Sequence, residues 1–288
     1  MWRSPGLHVS LLLAPAMAVV AVFFVGGVSQ AVAQSFGYQP FLPTYEWSAD
    51  AYRSLWFDPA VRASLWLTLR VSVLSTLIAA VLGVGAALLL RRHGRRPWAT
   101  AIFQTNLAVP HLVGALCMVL LLSQTGLLSR LAHAAGLISS PADFPALTAD
   151  RFGWGIIAEY VWKETPFIGV IALAALNRGV DDLENAARVL GAGARQRLRH
   201  ITLPALLPAV SGASVLVLAF VAGSYEVPYL LGRPYPATLP VVALQYYQDT
   251  DLTSRPQAMA VAVLITGLSC LLVALYLRLT SLLAGRTL

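Results

Sequence analysis

The sequence predicts an all-α, polytopic membrane protein with six transmembrane helices. Hydrophobic residues make up 58% of the 288 residues and charged residues only 11%, and the mean hydropathy is +0.70. Such a composition leaves too little polar surface to cover a water-soluble globule of this size. In addition, several uncharged runs reach the ~20 residues that a helix needs to cross a bilayer.

Five of the predicted spans rest on long runs without an acidic or basic residue. The clearest are Val71 to Leu90, Pro97 to Ser129 and Pro256 to Leu277, each flanked by arginine on both sides. The fourth span is interrupted by two glutamates and a lysine. We still expect it to cross, because the connections around it would otherwise place unpaired backbone groups in lipid. The predicted spans are 9–33, 64–90, 98–123, 154–176, 204–229 and 257–278.

The basic residues are distributed unevenly between the connections. With a cytoplasmic N-terminus, 12 of the 20 basic residues lie inside and 6 outside, so the positive-inside bias predicts that both termini are cytoplasmic. The net charge of +7 follows from this asymmetry and requires no nucleic acid partner. The inside residues are Arg3, Arg91, Arg92, Arg95, Arg96, Arg178, Arg188, Arg195, Arg197, Arg199, Arg278 and Arg286.

The N-terminal apolar stretch has an alternative interpretation as a cleaved signal peptide, because Ala31 to Ala33 resemble a small-residue cleavage site. The stretch is long for a signal peptide, and its removal would leave five spans starting outside, so we expect it to be retained.

No linker divides the chain, which we treat as one membrane domain covering residues 1–288. External segments 34–62, 124–153 and 231–255 are long enough to hold short helices or receive a partner. Cys117 and Cys270 indicate neither a disulfide nor a metal site.

The internal loop 177–203 has the pattern of two short amphipathic helices. Asp181 and Asp182 are suited to cap the first helix, and glycines permit a sharp turn after it. A basic stretch, Arg195 to Arg199, predicts the second helix, and Pro204 marks the start of the next span. Such a loop either docks in a partner's groove or lies on the lipid surface. The apolar face is Leu183, Ala186, Ala187 and Leu190, and the turn and span start contain Gly191, Gly193, Pro204 and Pro208.

The segment before the penultimate span contains, in order, two alanines, three residues, a glycine, nine residues and then Ile-x-Leu-Pro. This order and spacing resembles the EAA signature of ABC importer permeases, which implies the type I (MetI-like) architecture. The resemblance implies that the loop is a coupling helix seated in a cytoplasmic ATPase dimer. It assigns that role to Glu184, Asn185, Ala186, Ala187, Gly191, Ile201, Leu203 and Pro204.

One position departs from the signature. Asn185 stands where the family has an acidic residue that contacts the ATPase, and Glu184 comes immediately before it. Either Glu184 substitutes after a small rotation, or the contact is weakened or neutral. A structural alternative is that Glu184 serves the positive end of its helix.

Further segments resemble the spermidine/putrescine-type branch of these permeases. They are Pro110-His111, Trp162 to Phe167 and Glu226 to Gly232, and the resemblance runs from about Leu65 to the C-terminus. It implies a bacterial inner-membrane location, a second permease subunit (a different chain or an identical one), an extracytoplasmic solute-binding protein, and a polyamine or another small cation as substrate.

Ionisable residues inside a membrane usually face a cavity or a partner. Glu164 and Glu226, with Tyr225 and Tyr229, are therefore candidates to border the translocation path. The alternative is a set of internal salt bridges, in which Glu159 and Lys163 pair at i, i+4. His111 beside Pro110 either binds substrate or is a satisfied core histidine. No histidine pattern indicates a zinc site.

Other function classes fit less well. The single lysine, Lys163, follows no glycine-rich run, so this chain has no P-loop, and we expect ATP and Mg²⁺ to bind the partner ATPase. An ion-coupled secondary transporter is the main alternative, but no internal repeat is visible. A membrane enzyme or protease would need a reactive constellation that the spans do not contain.

Overall fold

A computed structural model describes residues 5–39, 46–92, 97–177 and 179–284, and these contain helices but no strand. Several of the predicted cytoplasmic arginines lie outside the described residues: Arg3, Arg95, Arg96, Arg178 and Arg286. The N-terminal half contains α1 (Pro5–Val20), a π-helical turn (Ala21–Val25), α2 (Gly26–Ser35), α3 (Asp50–Phe57), α4 (Pro59–Arg92), α5 (Pro97–Thr105), a 3-10 turn (Asn106–Ala108), α6 (His111–Leu122) and α7 (Leu127–Ala134).

The C-terminal half begins after a 3-10 turn, Pro141–Asp143. Its helices are α8 (Trp154–Leu176), α9 (Val180–Val189), α10 (Ala194–Arg197), a π-helical turn (Leu198–Thr202), α11 (Leu203–Gly223), α12 (Glu226–Leu231), α13 (Leu239–Gln248) and, after a 3-10 turn (Leu252–Ser254), α14 (Arg255–Ala284). The short helices α3, α7 and α13 fall in the three long external segments, where the sequence allowed for such helices.

Within the described ranges, five helical segments are long and apolar enough to cross a membrane: Val9–Ser35, Pro59–Arg92, His111–Ala134, Ala194–Gly223 and Leu252–Ser281. The remaining predicted span, 154–176, coincides with the 23-residue α8. Three charged residues make α8 less apolar than the other five, but all three are buried against other helices. Its crossing of the membrane stays our prediction.

The third predicted span, 98–123, is divided in the structure between α5, a 3-10 turn and α6. Helical structure ends at Ala108, Val109 is extended, and α6 begins at His111. Pro110 explains the break, because proline lacks an N–H and disfavours the helical conformation of the residue before it.

The fifth predicted span, 204–229, covers α11 and α12, between which the helical structure is interrupted. A helix runs from Ala194 through the π-helical turn to Gly223, and α12 is separate. The predicted second short helix of the loop is therefore the first part of this long helix. The π-helical turn lies just before Pro204, where its wider backbone accommodates a residue that cannot donate a hydrogen bond.

The core is centred on the packing of α4 along α8. Leu67 and Val71 of α4 are buried with Ile156, Tyr160 and Ile168 of α8, and α11 covers this cluster from the other side. The helices approach closely because glycines face each other. A Cβ on Gly83 would lie 2.9 Å from the Thr165 carbonyl oxygen and 3.0 Å from the Gly169 nitrogen.

A second cluster lies beneath α14, where Ala51 and Leu55 of α3 pack with Val261. A third lies at the opposite end of the core, where Leu176, Val180 and Leu206 join α8, α9 and α11. This third cluster fixes the position of α9 against the helices of the core. Cys117 and Cys270 are free and exposed in this chain, whereas their apolar surroundings in the sequence favour packing in the core.

Candidate functional site

The helix α9 and the turn that follows it form a protrusion beyond the ends of α8 and α11. α9 follows Gly179, which adopts φ +80°, and no side chain caps it. The prediction that Asp181 and Asp182 cap the helix was therefore wrong. Both lie one step further on, in the first turn, where their charge complements the positive end of the helix.

Gly191 ends α9 with φ +84°. Its N–H donates to the Arg188 carbonyl at 3.0 Å, and the Ala192 N–H donates to the Ala187 carbonyl at 2.9 Å. This pair of bonds is the Schellman motif, in which glycine takes the left-handed position at the helix end. The predicted turn at Gly191 is confirmed.

The outer surface of the protrusion is apolar and exposed. Val189 is 88% exposed, Leu190 87% and Leu183 59%. Asn185 and Ala186 are also exposed, whereas Ala187 is half-buried. Most of the predicted apolar face is thus uncovered in this chain. Val189 was missed because the helical spacing used for the face skips this position, although its place beside the turn indicates exposure.

An ionic clamp, which consists of Arg91, Asp181, Glu184 and Thr202, anchors the protrusion from inside. The Arg91 guanidinium at the end of α4 donates through Nη1 to Glu184 Oε1 at 3.1 Å and through Nε to Asp181 Oδ1 at 3.1 Å. The Thr202 hydroxyl donates to the same Glu184 oxygen. Thr202 is buried, and the Glu184 side chain is 20% exposed.

The ionic clamp shows what the Glu184 carboxylate contacts within this chain. Its carboxylate contacts α4 and the π-helical turn, which differs from the predicted alternative of serving the helix end alone. Arg91 and Thr202 were missed because the arginine belongs to a basic stretch that is also typical of a topology anchor, and the threonine lies 18 residues away. Of the other signature residues, Ile201 packs on the cluster of Leu176 and Leu206, and Leu203 is 43% exposed.

A second group of polar residues lies where the broken third span meets α8. Pro110 cannot donate to the Asn106 carbonyl, which accepts from the Val109 N–H at 3.1 Å and from Lys163 Nζ at 2.5 Å. Lys163 Nζ also donates to the Val109 carbonyl. Pro166 likewise leaves the Trp162 carbonyl without a donor, and Asn106 Nδ2 donates to it at 2.6 Å. Each proline break is therefore satisfied by a side chain from the opposite helix.

His111 lies between two carboxylates of α8. Its Nδ1 is 3.6 Å from Glu159 Oε1, and its Nε2 is 3.5 Å from Glu164 Oε1. Glu159 is fully buried and Glu164 is 7% exposed, and the Phe220 ring lies with its centroid 4.8 Å from that of His111. The predicted ion pair between Glu159 and Lys163 is absent from the described part of the chain. The lysine binds proline-freed carbonyls instead.

Among the described contacts, no side-chain contact joins the four predicted pathway residues directly. Glu164 lies beside His111, and Glu226 is exposed in the first turn of α12, which packs against α6 and α8. Tyr225 and Tyr229 are 45% and 59% exposed at the junction of α11 and α12. Tyr225 instead lines a separate cavity of about 370 Å³ with residues of α13 and α14. Glu159 and Glu164 on either side of His111 form an acidic cluster that the sequence did not assemble. The described residues contain no cluster of three side chains suited to a metal ion.

Comparison with known proteins gives consistent results. Residues 79–282 match the family described as binding-protein-dependent transport system inner membrane component. The chain is 27% identical to the inner membrane ABC transporter permease protein YdcU of Escherichia coli over 291 residues, which cover 96% of this chain and 90% of that protein. It is 27% identical to the putrescine transport system permease protein PotI of Escherichia coli, over 77% of this chain and 73% of the relative.

A solved structure shows the same fold. It is the crystal structure of a bacterial ABC transporter involved in the import of the acidic polysaccharide alginate. One of its chains matches with a TM-score of 0.76 at 20% identity, over 95% of this chain and 94% of that one.

Proposed function

Because this chain belongs to the family of binding-protein-dependent transport system inner membrane components, we propose that its protrusion docks on a separate ATPase and that α6, α8 and α11 border a solute pathway. The chain is a permease subunit of an ABC importer in the bacterial inner membrane and not an enzyme. ATP and Mg²⁺ would be bound by the ATPase dimer.

The exposed apolar tip of the protrusion, defined by Leu183, Val189 and Leu190, carries the docking proposal. Leucine side chains that are 59–87% exposed on a helix held by an ionic clamp and a Schellman turn are pre-organised for insertion into a groove. Binding then requires little ordering of the chain, which favours affinity. Glu184 is engaged within this chain, so the direct acidic contact to the ATPase would be weakened or absent, and Asn185 would face the partner as a neutral group.

The docking proposal is tested by changing one exposed leucine on the predicted cytoplasmic side of the membrane and one on the predicted external side. Leu190→Arg alters the tip, and Leu137→Arg is the matched control, because Leu137 is 77% exposed after α7 in a predicted external segment. Both side chains are exposed, so neither change disturbs the core. We expect Leu190→Arg to abolish co-purification of the ATPase and Leu137→Arg to leave it unchanged. Equal co-purification of both variants would overturn the docking surface.

We propose further that a solute-binding protein docks on the external segments that contain α3, α7 and α13, and that a second permease subunit completes the pathway. The described helix surface supports the second part: Leu12 and Phe23 of the first span are 69% and 76% exposed, as is typical of a face that contacts lipid or another subunit. Whether the second permease is a different chain or a second copy is decided by mass spectrometry of the purified complex.

The acidic cluster supports a cationic substrate. Glu226 is exposed near Tyr225 and Tyr229 in the first turn of α12, which packs against α6 and α8, and on those two helices Glu159 and Glu164 flank His111. Carboxylates with adjacent aromatic faces attract ammonium groups. Relatives alone do not decide the substrate, because one is a putrescine permease and the solved structure of similar fold belongs to an importer of an acidic polysaccharide.

Uptake measurements test the pathway assignment. In vesicles that contain the assembled importer, we expect Glu226→Gln and Glu164→Gln to reduce putrescine uptake, while the control Asp249→Asn, an exposed acid after α13, has no effect. Unchanged uptake by both glutamate variants would contradict the pathway role. A neutral or anionic ligand on the cognate binding protein would contradict the cationic substrate.

A further inference from the structure

A cavity of about 470 Å³ lies behind the protrusion, on the side opposite its apolar tip. Its walls come from the end of α4, from α9 and from the start of the long helix that begins at Ala194. The cavity therefore lies at the junction between the predicted membrane core and the predicted cytoplasmic surface. The ionic clamp forms part of its wall, and the rest of the lining has no role in the docking or pathway proposals.

The polar part of the cavity is rich in arginine. Arg91, Arg92, Arg188 and Arg197 line it together with Asp181 and Glu184. Both acids are engaged by Arg91, and Arg197 donates to the Ala192 carbonyl. Arg92 and Arg188 have no acidic partner among the residues that the structure describes. Two guanidinium groups thus face one cavity with their charge uncompensated, as is typical of a site for a phosphate group.

The other part of the cavity is apolar and continues along α4. Gly85, Leu88 and Leu89 form this wall, and a Cβ on Gly85 would have no neighbour within 4 Å. Leu89 is 59% exposed, and Val81, one turn before Gly85, is 72% exposed. Because residues three and four apart share a helix face, Val81, Gly85, Leu88 and Arg92 form one stripe that leads from apolar surface to the arginines.

We propose that this cavity binds the headgroup phosphate of an anionic phospholipid, with one acyl chain lying along the stripe at Gly85. The chemistry required is a phosphate group. Free phosphate shares that chemistry, but it would make no favourable contact with the apolar wall at Leu88 and Leu89. A lipid is favoured because it would use both walls, and basic clusters beside a membrane-spanning helix recognise such headgroups. The bound lipid would link α4 to α9 beside the ionic clamp.

The test uses the full-length chain purified from membranes and placed in nanodiscs that contain phosphatidylglycerol and phosphatidylcholine. Native mass spectrometry measures the lipid that each variant retains. The variant R92Q/R188Q removes the uncompensated charge, and Gly85→Leu fills the apolar wall without changing any charge. The matched control is R195Q/R199Q, which removes two exposed arginines from the same loop that do not line the cavity.

We expect the wild type and the control to retain phosphatidylglycerol in preference to phosphatidylcholine, and the other two variants to lose roughly 10-fold or more of that preference. Retention of inorganic phosphate without lipid would overturn the lipid assignment. Equal lipid retention by all variants would also overturn it. If ATPase co-purification, measured separately, is then lost only in R92Q/R188Q, these arginines face the ATPase instead. Because retention is measured without the ATPase, failure of the docking proposal would leave this result intact.

Discussion

The close approach of α4 and α8 can be tested with two glycines on α4. Gly83 and Gly85 are two residues apart on α4 and point in different directions. A Cβ on Gly83 would lie 2.9 Å from the Thr165 carbonyl oxygen, about 0.5 Å closer than the 3.4 Å at which ordinary contact begins. The obstructing atoms belong to the α8 backbone and cannot rotate away. A Cβ on Gly85 would meet nothing within 4 Å.

This difference isolates the cost of the contact. Replacing glycine with alanine in a helix stabilises it by up to ~1 kcal/mol, and this gain is the same for both variants. Gly83→Ala additionally forces α4 and α8 apart, and overpacking of this kind costs about 1–3 kcal/mol. We therefore expect Gly83→Ala to be less stable than Gly85→Ala by about 1–3 kcal/mol.

The assay is the apparent melting temperature of the purified chain in one detergent, followed by fluorescence-detected size exclusion. A difference of this size corresponds to a melting point roughly 2–12 °C lower for Gly83→Ala than for Gly85→Ala. Equal melting temperatures would refute the close approach of α4 and α8 at this position, and with it the packing on which the position of α8 depends.

Three further predictions follow from the site. Gly191→Ala should lower the stability of the chain by roughly 1–2 kcal/mol through the left-handed backbone alone, since no atom lies within 4 Å of the added carbon. Gly191→Asn should lower it less, and thermal unfolding compares the two variants. Lys163→Met should destabilise the chain by roughly 1–3 kcal/mol, because the Val109 carbonyl loses its donor and the Asn106 carbonyl loses one of its two donors, and an unaltered melting temperature would contradict the capping role. In a double-mutant cycle, Arg91→Gln and Glu184→Gln should not be additive in ATPase co-purification, whereas Arg199→Gln combined with Glu184→Gln should be.

Local signals in the sequence predicted the parts of the site that depend on neighbouring residues. The turn at Gly191 could be predicted because only the helix end and a glycine are needed to specify it. Helical spacing predicted Leu183 and Leu190 of the apolar tip but not Val189. The start of the long helix at Ala194 could not be predicted, because proline usually ends a helix, whereas here the π-helical turn before Pro204 lets the helix continue.

Contacts between distant segments were beyond the sequence. The spacing of Glu159 and Lys163 favours an ion pair, but the break at Pro110 offers the lysine two carbonyls instead, from residues 57 and 54 positions away. The same break places His111 beside Glu159 and Glu164. Each side chain was visible in the sequence, but its partner depends on how α6 meets α8.

The two candidate sites are joined by contacts that leave little room for adjustment. The ionic clamp fixes α9 to α4 through Arg91, the Gly83 contact fixes α4 to α8, and Lys163 fixes α8 to the broken third span beside His111. Because packed helices move as units and do not deform continuously, a displacement of α9 cannot be absorbed by side-chain rotation at these points. It must shift α4 and α8 together and so change the geometry of the two carboxylates around His111. Widening the Gly83 contact should therefore weaken solute transport even where ATPase docking is intact.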